Sequence, residues 1–196
     1  MVLELARDDV PDPAPPPEPL APPEPLERLA VRCYAELQAI ARRERRRAGD
    51  AATLDTAGLL HEAFLRLAEQ RQTSWADRAR FLAAASGMMR RVVIDHVRRR
   101  RAVKRGGARR PVTLDERLAL VDAADAAQCD TLLALDDALT RLGAHAPRLA
   151  RVVECRYFAG MTEEETAEAL GVTARTVRRD WVKARVWLHA ALAEVA

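Results

Sequence analysis

The chain has 196 residues, of which 31% are charged and 4% aromatic. This length allows one or two domains with cores of their own, and much Ala, Leu and Arg favours a helical protein. The net charge of +3 hides a segregation of sign, because residues 90–110 hold ten Lys or Arg and one acid, whereas residues 1–27 and residues 111–137 each hold seven acids and one Arg. A concentrated cationic segment of this kind is typical of a protein with a polyanionic partner.

The sequence also disfavours several classes of protein. No apolar run reaches the length of a membrane span, and the acidic N-terminus lacks the basic start of a secretory signal, so we expect a cytoplasmic protein. Three widely spaced cysteines form neither a disulfide framework nor a metal-binding pattern. We expect no metal, no cofactor, no small-molecule substrate and no catalytic residue.

The N-terminal segment, residues 1–27, is acidic and contains most of the eleven prolines, concentrated in Asp8–Pro25. Proline lacks a backbone donor and fixes φ, so we predict a disordered tail. An inert leader and an acidic shield for the basic segment both remain open.

Apolar residues recur at helical spacing in the next part of the chain, residues 28–107. The pattern predicts helices over Leu26–Arg47 and Thr53–Gln70, and a third helix that Asp77 caps, that runs through Arg98–Arg101 and that ends at Gly106-Gly107. Their matched apolar faces can close a small core. No strand pattern is visible in the sequence.

Residues 108–130 are acidic and Ala-rich without a clear period, which predicts a flexible linker. Residues 131–196 then form a second helical domain, with two helices separated near Gly143–Pro147 and a last helix that ends near Ala193. The predicted fold class is therefore all-α, with two small domains.

The stretch "TEEETAEALGVTARTVRRD", residues 162–180, predicts two short helices joined by a tight turn. Thr162 and Glu165 fit a capping box. Gly171 can adopt the left-handed conformation that ends a helix, and Thr173 can cap the next helix. A pair of helices joined in this way is the helix-turn-helix arrangement.

The second helix of this pair has two distinct sides. Val177, Trp181, Ala184 and Leu188 form an apolar stripe. The basic residues lie on another side, where a helix in the DNA major groove would present its first turns to the bases. The predicted DNA-contacting residues are Arg175, Thr176, Arg178, Arg179 and Lys183. An arginine here can read guanine or hold a phosphate, and the sequence leaves both roles open.

Three segments together resemble the bacterial RNA polymerase sigma factors of the sigma-70 family. They are "TLDTAGLLHEAFLRLAEQ", "WADRARFLAAASGMMRRVVIDHVRRRRAVKRGG" and "LDDALTRLGAHAPRLARVVECRYFAGMTEEETAEALGVTARTVRRDWVKAR". The resemblance is to the extracytoplasmic-function (ECF) type and its ECF-like subgroup. It implies a polymerase specificity subunit in which region 2 (residues 28–107) recognises the minus-ten element and region 4 (residues 131–196) reads the minus-thirty-five element.

The resemblance also implies roles for residues of region 2. His61 and Glu62 would contact the clamp helices of the largest subunit of core RNA polymerase. Trp75 would stack on a base flipped out of the promoter, although covering a small core is an equal alternative for this residue. The phosphate-binding and base-proximal positions would be Arg90, Arg91, Arg98, Arg99, Arg100 and Arg101, with Arg91 standing where many relatives have Asn.

The expected function is the recruitment of core RNA polymerase to promoter DNA, without enzymatic activity. An anti-sigma factor is a further partner that the resemblance leaves open. Two other classes of protein remain as alternatives: a stand-alone helix-turn-helix regulator of double-stranded DNA, and a nuclease. The first would need a dimer or an effector domain, and the second would need carboxylates at metal-binding spacing.

Overall fold

A computed structural model describes residues 24–49, 54–70, 74–75, 77–106 and 116–193. The predicted tail up to residue 23, the end of region 2 at Gly107 and the first part of the predicted linker lie outside these ranges, as do several residues of the loop before Asp77. Among the described residues the fold is predominantly helical, as predicted.

Eight α-helices follow one another along the described chain. They are α1 (Leu26–Arg32), α2 (Tyr34–Ala48), α3 (Thr56–Ala68), α4 (Arg78–Gly106), α5 (Glu116–His145), α6 (Pro147–Val153), α7 (Glu163–Leu170) and α8 (Ala174–Ala193). A π-helical segment, Glu154–Ala159, connects α6 to α7.

Local signals account for several of the helix starts. The Asp55 side chain accepts a hydrogen bond of 2.7 Å from the Gly58 amide at the start of α3, and Asp77 accepts one of 2.7 Å from the Arg80 amide at the start of α4. Each carboxylate satisfies an amide that has no partner within its helix. Pro147 occupies the first turn of α6, where its missing N–H costs nothing.

Three sequence-based expectations need correction. The first predicted helix is interrupted at Cys33 (φ −100°), which separates α1 from α2. A short antiparallel pairing joins Glu24–Pro25 to Ser74–Trp75, although the sequence shows no strand pattern. Most importantly, residues 116–130 are helical and continuous with the rest of α5, so this part of the predicted linker is not a flexible connection.

The packing of the helices also joins the two halves of the chain. Helices α1–α4 surround a core that contains Leu29, Ile40, Leu59 and Phe81. Residues from the second half enter the same core: Cys129 and Leu132 from α5, Cys155 and Ala159 from the π-helical segment, and Met161. A second core lies between α5, α6 and α8, and includes Leu142 and Leu188.

Candidate functional site

The helix-turn-helix of α7 and α8 is fixed by side-chain to backbone hydrogen bonds at both helix starts. The Thr162 amide donates to Glu165 Oε2 at 2.9 Å, and the Glu165 amide donates to Thr162 Oγ1 at 3.1 Å, which completes the predicted capping box. Gly171 has φ 65° and ends α7. The Thr176 amide donates to Thr173 Oγ1 at 3.2 Å at the start of α8. The local sequence therefore fixes where α7 begins and ends and where α8 begins.

One side of α8 is committed to the core. Val177 is fully buried against Val152 and Ala167, and Trp181 is half-buried beside them. Asp180 is 1% exposed and accepts a hydrogen bond of 2.6 Å from Arg148 Nε. This acid therefore anchors α8 to α6, and the structure gives it a different role from that of the neighbouring arginines.

The predicted DNA-contacting residues of α8 divide between the exposed side and the buried side of this helix. Arg175, Arg178 and Lys183 are exposed, and Arg179 is half-buried. Arg178 donates to Glu163 from Nε at 3.0 Å and from Nη2 at 2.8 Å, and this hydrogen bonding raises the pKa of its guanidinium. Thr176 is 5% exposed, so in this conformation its side chain faces the turn and has no access to a DNA groove.

The predicted phosphate-binding arginines of α4 are presented unequally. Arg91 and Arg99 are exposed and Arg100 is half-buried. Arg90 is 8% exposed and pairs with Asp136 and with Glu154, the latter at 3.0 Å. Arg98 lies 3.2 Å from Asp136, and Arg101 pairs with Asp130. Helix α5 and the π-helical segment therefore neutralise part of the basic side of α4.

Trp75, the predicted base-stacking residue, belongs to the core in this structure. It is 6% exposed and meets the ring of Phe81 edge to face, with ring centroids 6.0 Å apart. Its indole N–H is buried and finds no hydrogen-bond acceptor among the residues that the structure describes. The sequence left stacking and core packing equally open, and the arrangement here is core packing.

The two residues predicted to contact polymerase lie on α3 in different environments. His61 is exposed. Glu62 accepts from Arg66 at 2.6 Å and lies 3.0 Å from His96 Nε2. Burial alone would raise the pKa of Glu62, but the hydrogen bonds from His96 and Arg66 outweigh it and lower that pKa. Glu62 therefore also holds α3 against α4.

An apolar groove that the sequence analysis missed lies beside His61. It has a volume of about 420 Å³ and is lined by Glu27, Ala30, Val31, Tyr34, Leu37, Ala57, Leu60, His61 and Phe64. Val31 is 78% exposed and Tyr34 is 54% exposed. A signal was present in the sequence, because Val31 and Tyr34 lie outside the apolar face of the first predicted helix. That face consists of Leu26, Leu29, Ala30, Cys33, Leu37 and Ile40.

The sequence analysis also missed the acids that meet the basic side of α4. The sequence showed an acidic segment directly after a basic one, but it did not show that α5 turns back along α4. That arrangement brings Asp130, Asp136 and Asp137 to Arg98 and Arg101.

No His, Cys, Asp and Glu side chains cluster as metal ligands would within the part of the chain that the structure describes. Over the same residues, none of the helices combines the length and the apolar character needed to cross a bilayer.

Comparison with known proteins bears directly on this arrangement. The family model described as ECF sigma factor matches residues 23–194. Neither the curated proteins nor the solved structures contain a significant match to the chain. The family match covers both the helices around the basic α4 and the complete helix-turn-helix, so the chain belongs to the ECF sigma factors, regulatory proteins that act in the initiation of transcription.

Proposed function

We propose that this sigma factor binds core RNA polymerase through region 2, reads the upstream promoter element with α8 and holds minus-ten DNA along α4. One observation carries the proposal: a capped helix-turn-helix leaves Arg175 and Arg178 exposed on the first turns of α8, while Val177 and Asp180 fix the opposite side. A helix held in this way can enter the major groove with its arginines towards the base edges. The cytoplasm, where polymerase works, is the expected location.

The upstream contact is tested by promoter selection on a randomised minus-thirty-five element. A bidentate arginine–guanine pair discriminates against the wrong base by about 1–3 kcal/mol. At least one of Arg175→Ala, Arg178→Ala and Arg179→Ala should therefore relax the preference at one base pair. Arg151→Ala, at an exposed position on α6, is the matched control. Retention of every wild-type base preference by all three variants would remove α8 as the reader.

The minus-ten contact is proposed for the basic side of α4. Arg91 and Arg99 are already exposed, whereas Arg90, Arg98 and Arg101 are paired with acids. A lost phosphate contact should flatten the plot of log affinity against log salt by roughly 0.7–0.9. We expect Arg99→Ala in holoenzyme to produce this change for all promoter sequences alike. A change confined to one base pair would show that Arg99 reads sequence.

Capture of a flipped base by Trp75 requires this ring to leave its contact with Phe81. Extruding a base costs a few kcal/mol, which stacking on an aromatic ring offsets in part. Trp75→Phe preserves an aromatic ring and Trp75→Leu preserves only apolar volume. If Trp75 stacks on the base, the Phe variant should open promoters better than the Leu variant at equal fold stability. Equal opening would assign Trp75 to the core alone.

The polymerase contact is proposed for His61, Glu62 and the adjoining apolar groove. An exposed apolar patch with a polar rim is typical of a protein–protein interface. His61→Ala and Tyr34→Ala should each weaken binding to core polymerase in a fluorescence titration, with His145→Ala, at an exposed position near the end of α5, as the matched control. Glu62 is unsuitable as the first test, because its substitution also breaks the contacts with Arg66 and His96. Unchanged affinity for both variants would refute the assignment of this surface.

The same purified chain distinguishes this function from that of a stand-alone regulator. Run-off transcription from a promoter library should depend on adding this chain to core polymerase. Binding to double-stranded operators without any core-dependent transcription would favour the regulator.

A further inference from the structure

The contact between α4 and α5 pairs opposite charges along much of its length. Asp136 accepts from Arg90 and, at 3.2 Å, from Arg98. Asp137 lies 3.4 Å from Arg98, and Asp130 pairs with Arg101. Three acids of α5 thus stand opposite arginines for which phosphate binding is proposed.

Arg90 shows that these pairs are part of a closed interface. Its side chain is about nine-tenths buried between Asp136 and Glu154, and its guanidinium carbon lies 5.4 Å from the centroid of the Phe158 ring. A buried guanidinium is tolerated only when anions neutralise it. While Asp136 and Glu154 hold its two terminal nitrogens and the side chain stays buried, Arg90 cannot bind a DNA phosphate.

Apolar and backbone contacts reinforce the same closed arrangement. Cys129 and Leu132 of α5 enter the core formed by α2 and α4. Arg43 donates to the Ala159 carbonyl, and Arg47 donates to the Tyr157 carbonyl at 2.5 Å. The π-helical segment and α5 are therefore fastened to region 2 by more than the ion pairs at the surface.

We propose that in the free chain α5 and Glu154 occupy the phosphate-binding side of α4, so that DNA reaches this helix only after α5 has moved away. The inference rests on the proposed binding of DNA by α4. Helix α5 then acts as an internal competitor of DNA, with Asp130, Asp136 and Asp137 in the positions of phosphates. Opening must break both the ion pairs and the apolar contacts.

The test measures how tightly the free, full-length chain binds a short labelled duplex of arbitrary sequence, by fluorescence anisotropy at low salt. Asp136→Asn with Asp137→Asn removes two of the competing charges without changing side-chain volume. We expect at least about a fivefold gain in affinity over wild type, because several partly exposed ion pairs of modest strength are lost together. Glu69→Gln with Glu168→Gln, both exposed, is the control with the same change in net charge.

An equal gain in the control would overturn the proposal, because it would show that only net charge matters. Loss of Asp136 leaves Arg90 with Glu154 alone, so a second variant guards against misfolding. Asp130→Asn with Asp137→Asn changes two largely exposed side chains and should also bind more tightly than the control. No gain from this pair, in a folded chain, contradicts the proposal.

Two further measurements test the role of α5 independently of the proposed function. Adding Arg98→Ala and Arg101→Ala to the Asp136→Asn/Asp137→Asn chain should abolish the gain, and a persistent gain would show that DNA does not use α4. Hydrogen exchange of the α5 amides in the wild-type chain should accelerate when the duplex is added, and unchanged protection of bound α5 would overturn the proposal. Neither measurement requires polymerase or a promoter, whereas the proposed function is judged by core-dependent transcription.

Discussion

Glu44 offers a sharp test of the burial of charged groups around α2. It is 1% exposed. Its Oε1 accepts from Arg47, and its buried Oε2 has no hydrogen-bond donor within the described parts of the chain. Burial raises the pKa of the Glu44 carboxyl to about 7, although the charges of Arg47, Arg90 and Arg43 act in the opposite direction. Below about pH 7 the folded protein therefore holds this carboxyl mostly in its protonated form.

The sign of the pH dependence follows from comparing the two states. In the unfolded chain the carboxyl returns to its ordinary pKa of 4.5. Between about pH 4.5 and pH 7 the folded state binds more protons than the unfolded state, so the free energy of unfolding falls as pH rises. The loss is complete above the folded pKa. With roughly 1.4 kcal/mol for each pKa unit, the Glu44 contribution falls by about 2–3 kcal/mol between pH 5 and pH 8.

The perturbation is Glu44→Gln, which keeps the shape of the protonated acid and cannot ionise. Urea unfolding at pH 5 and pH 8 gives the free energy of unfolding of the variant and of wild type. Relative to wild type, the variant should gain about 2–3 kcal/mol on going from pH 5 to pH 8. Glu69→Gln, at an exposed position on the C-terminal side of α3, should show a much smaller change.

A difference between Glu44→Gln and wild type that stays constant from pH 5 to pH 8 would refute the reasoning. It would mean that Glu44 is ionised throughout this range and that Arg47, Arg43 and Arg90 neutralise it fully.

Three further predictions concern the helix-turn-helix. Thr162→Ala removes the acceptor of the capping box and should lower the free energy of unfolding by about 1 kcal/mol in urea, whereas Thr162→Ser should restore most of it. Val177→Asp places an unpaired carboxylate among Val152 and Ala167 and should abolish the cooperative thermal unfolding of the helix-turn-helix. A preserved transition would contradict the burial of Val177. Asp180→Asn should cost about 1–2 kcal/mol through its weakened bond to Arg148, and a double-mutant cycle with Arg148→Ala should show coupling between the two sites.

Local chemistry determined the parts of the structure that the sequence predicted well. The capping box of Thr162 and Glu165, the left-handed Gly171 and the cap at Thr173 involve residues only a few positions apart, so their hydrogen bonds can be read directly from the spacing. The cap at Asp77 has the same origin. The periodic stripe through Val177, Ala184 and Leu188 likewise predicted which side of α8 is buried.

Weak or competing local signals explain two of the errors. The acidic, Ala-rich residues of the predicted linker lack a strong apolar period, yet Ala has the highest helix propensity, and residues 116–130 are helical. The break at Cys33 was invisible because backbone hydrogen bonds continue across it: its amide donates to the Leu29 carbonyl at 2.8 Å, and its carbonyl accepts from the Leu37 amide at 2.9 Å.

Only the tertiary structure decided which charged and aromatic residues are accessible. The sequence by itself determined most of the helices, the helix-turn-helix and the segregation of charge, because these depend on residue order and short-range spacing. It could not show that Arg90 is enclosed by Asp136 and Glu154, which are distant in sequence, or that Trp75 packs against Phe81. Burial depends on which helix faces are brought together, and that is a property of the assembled fold.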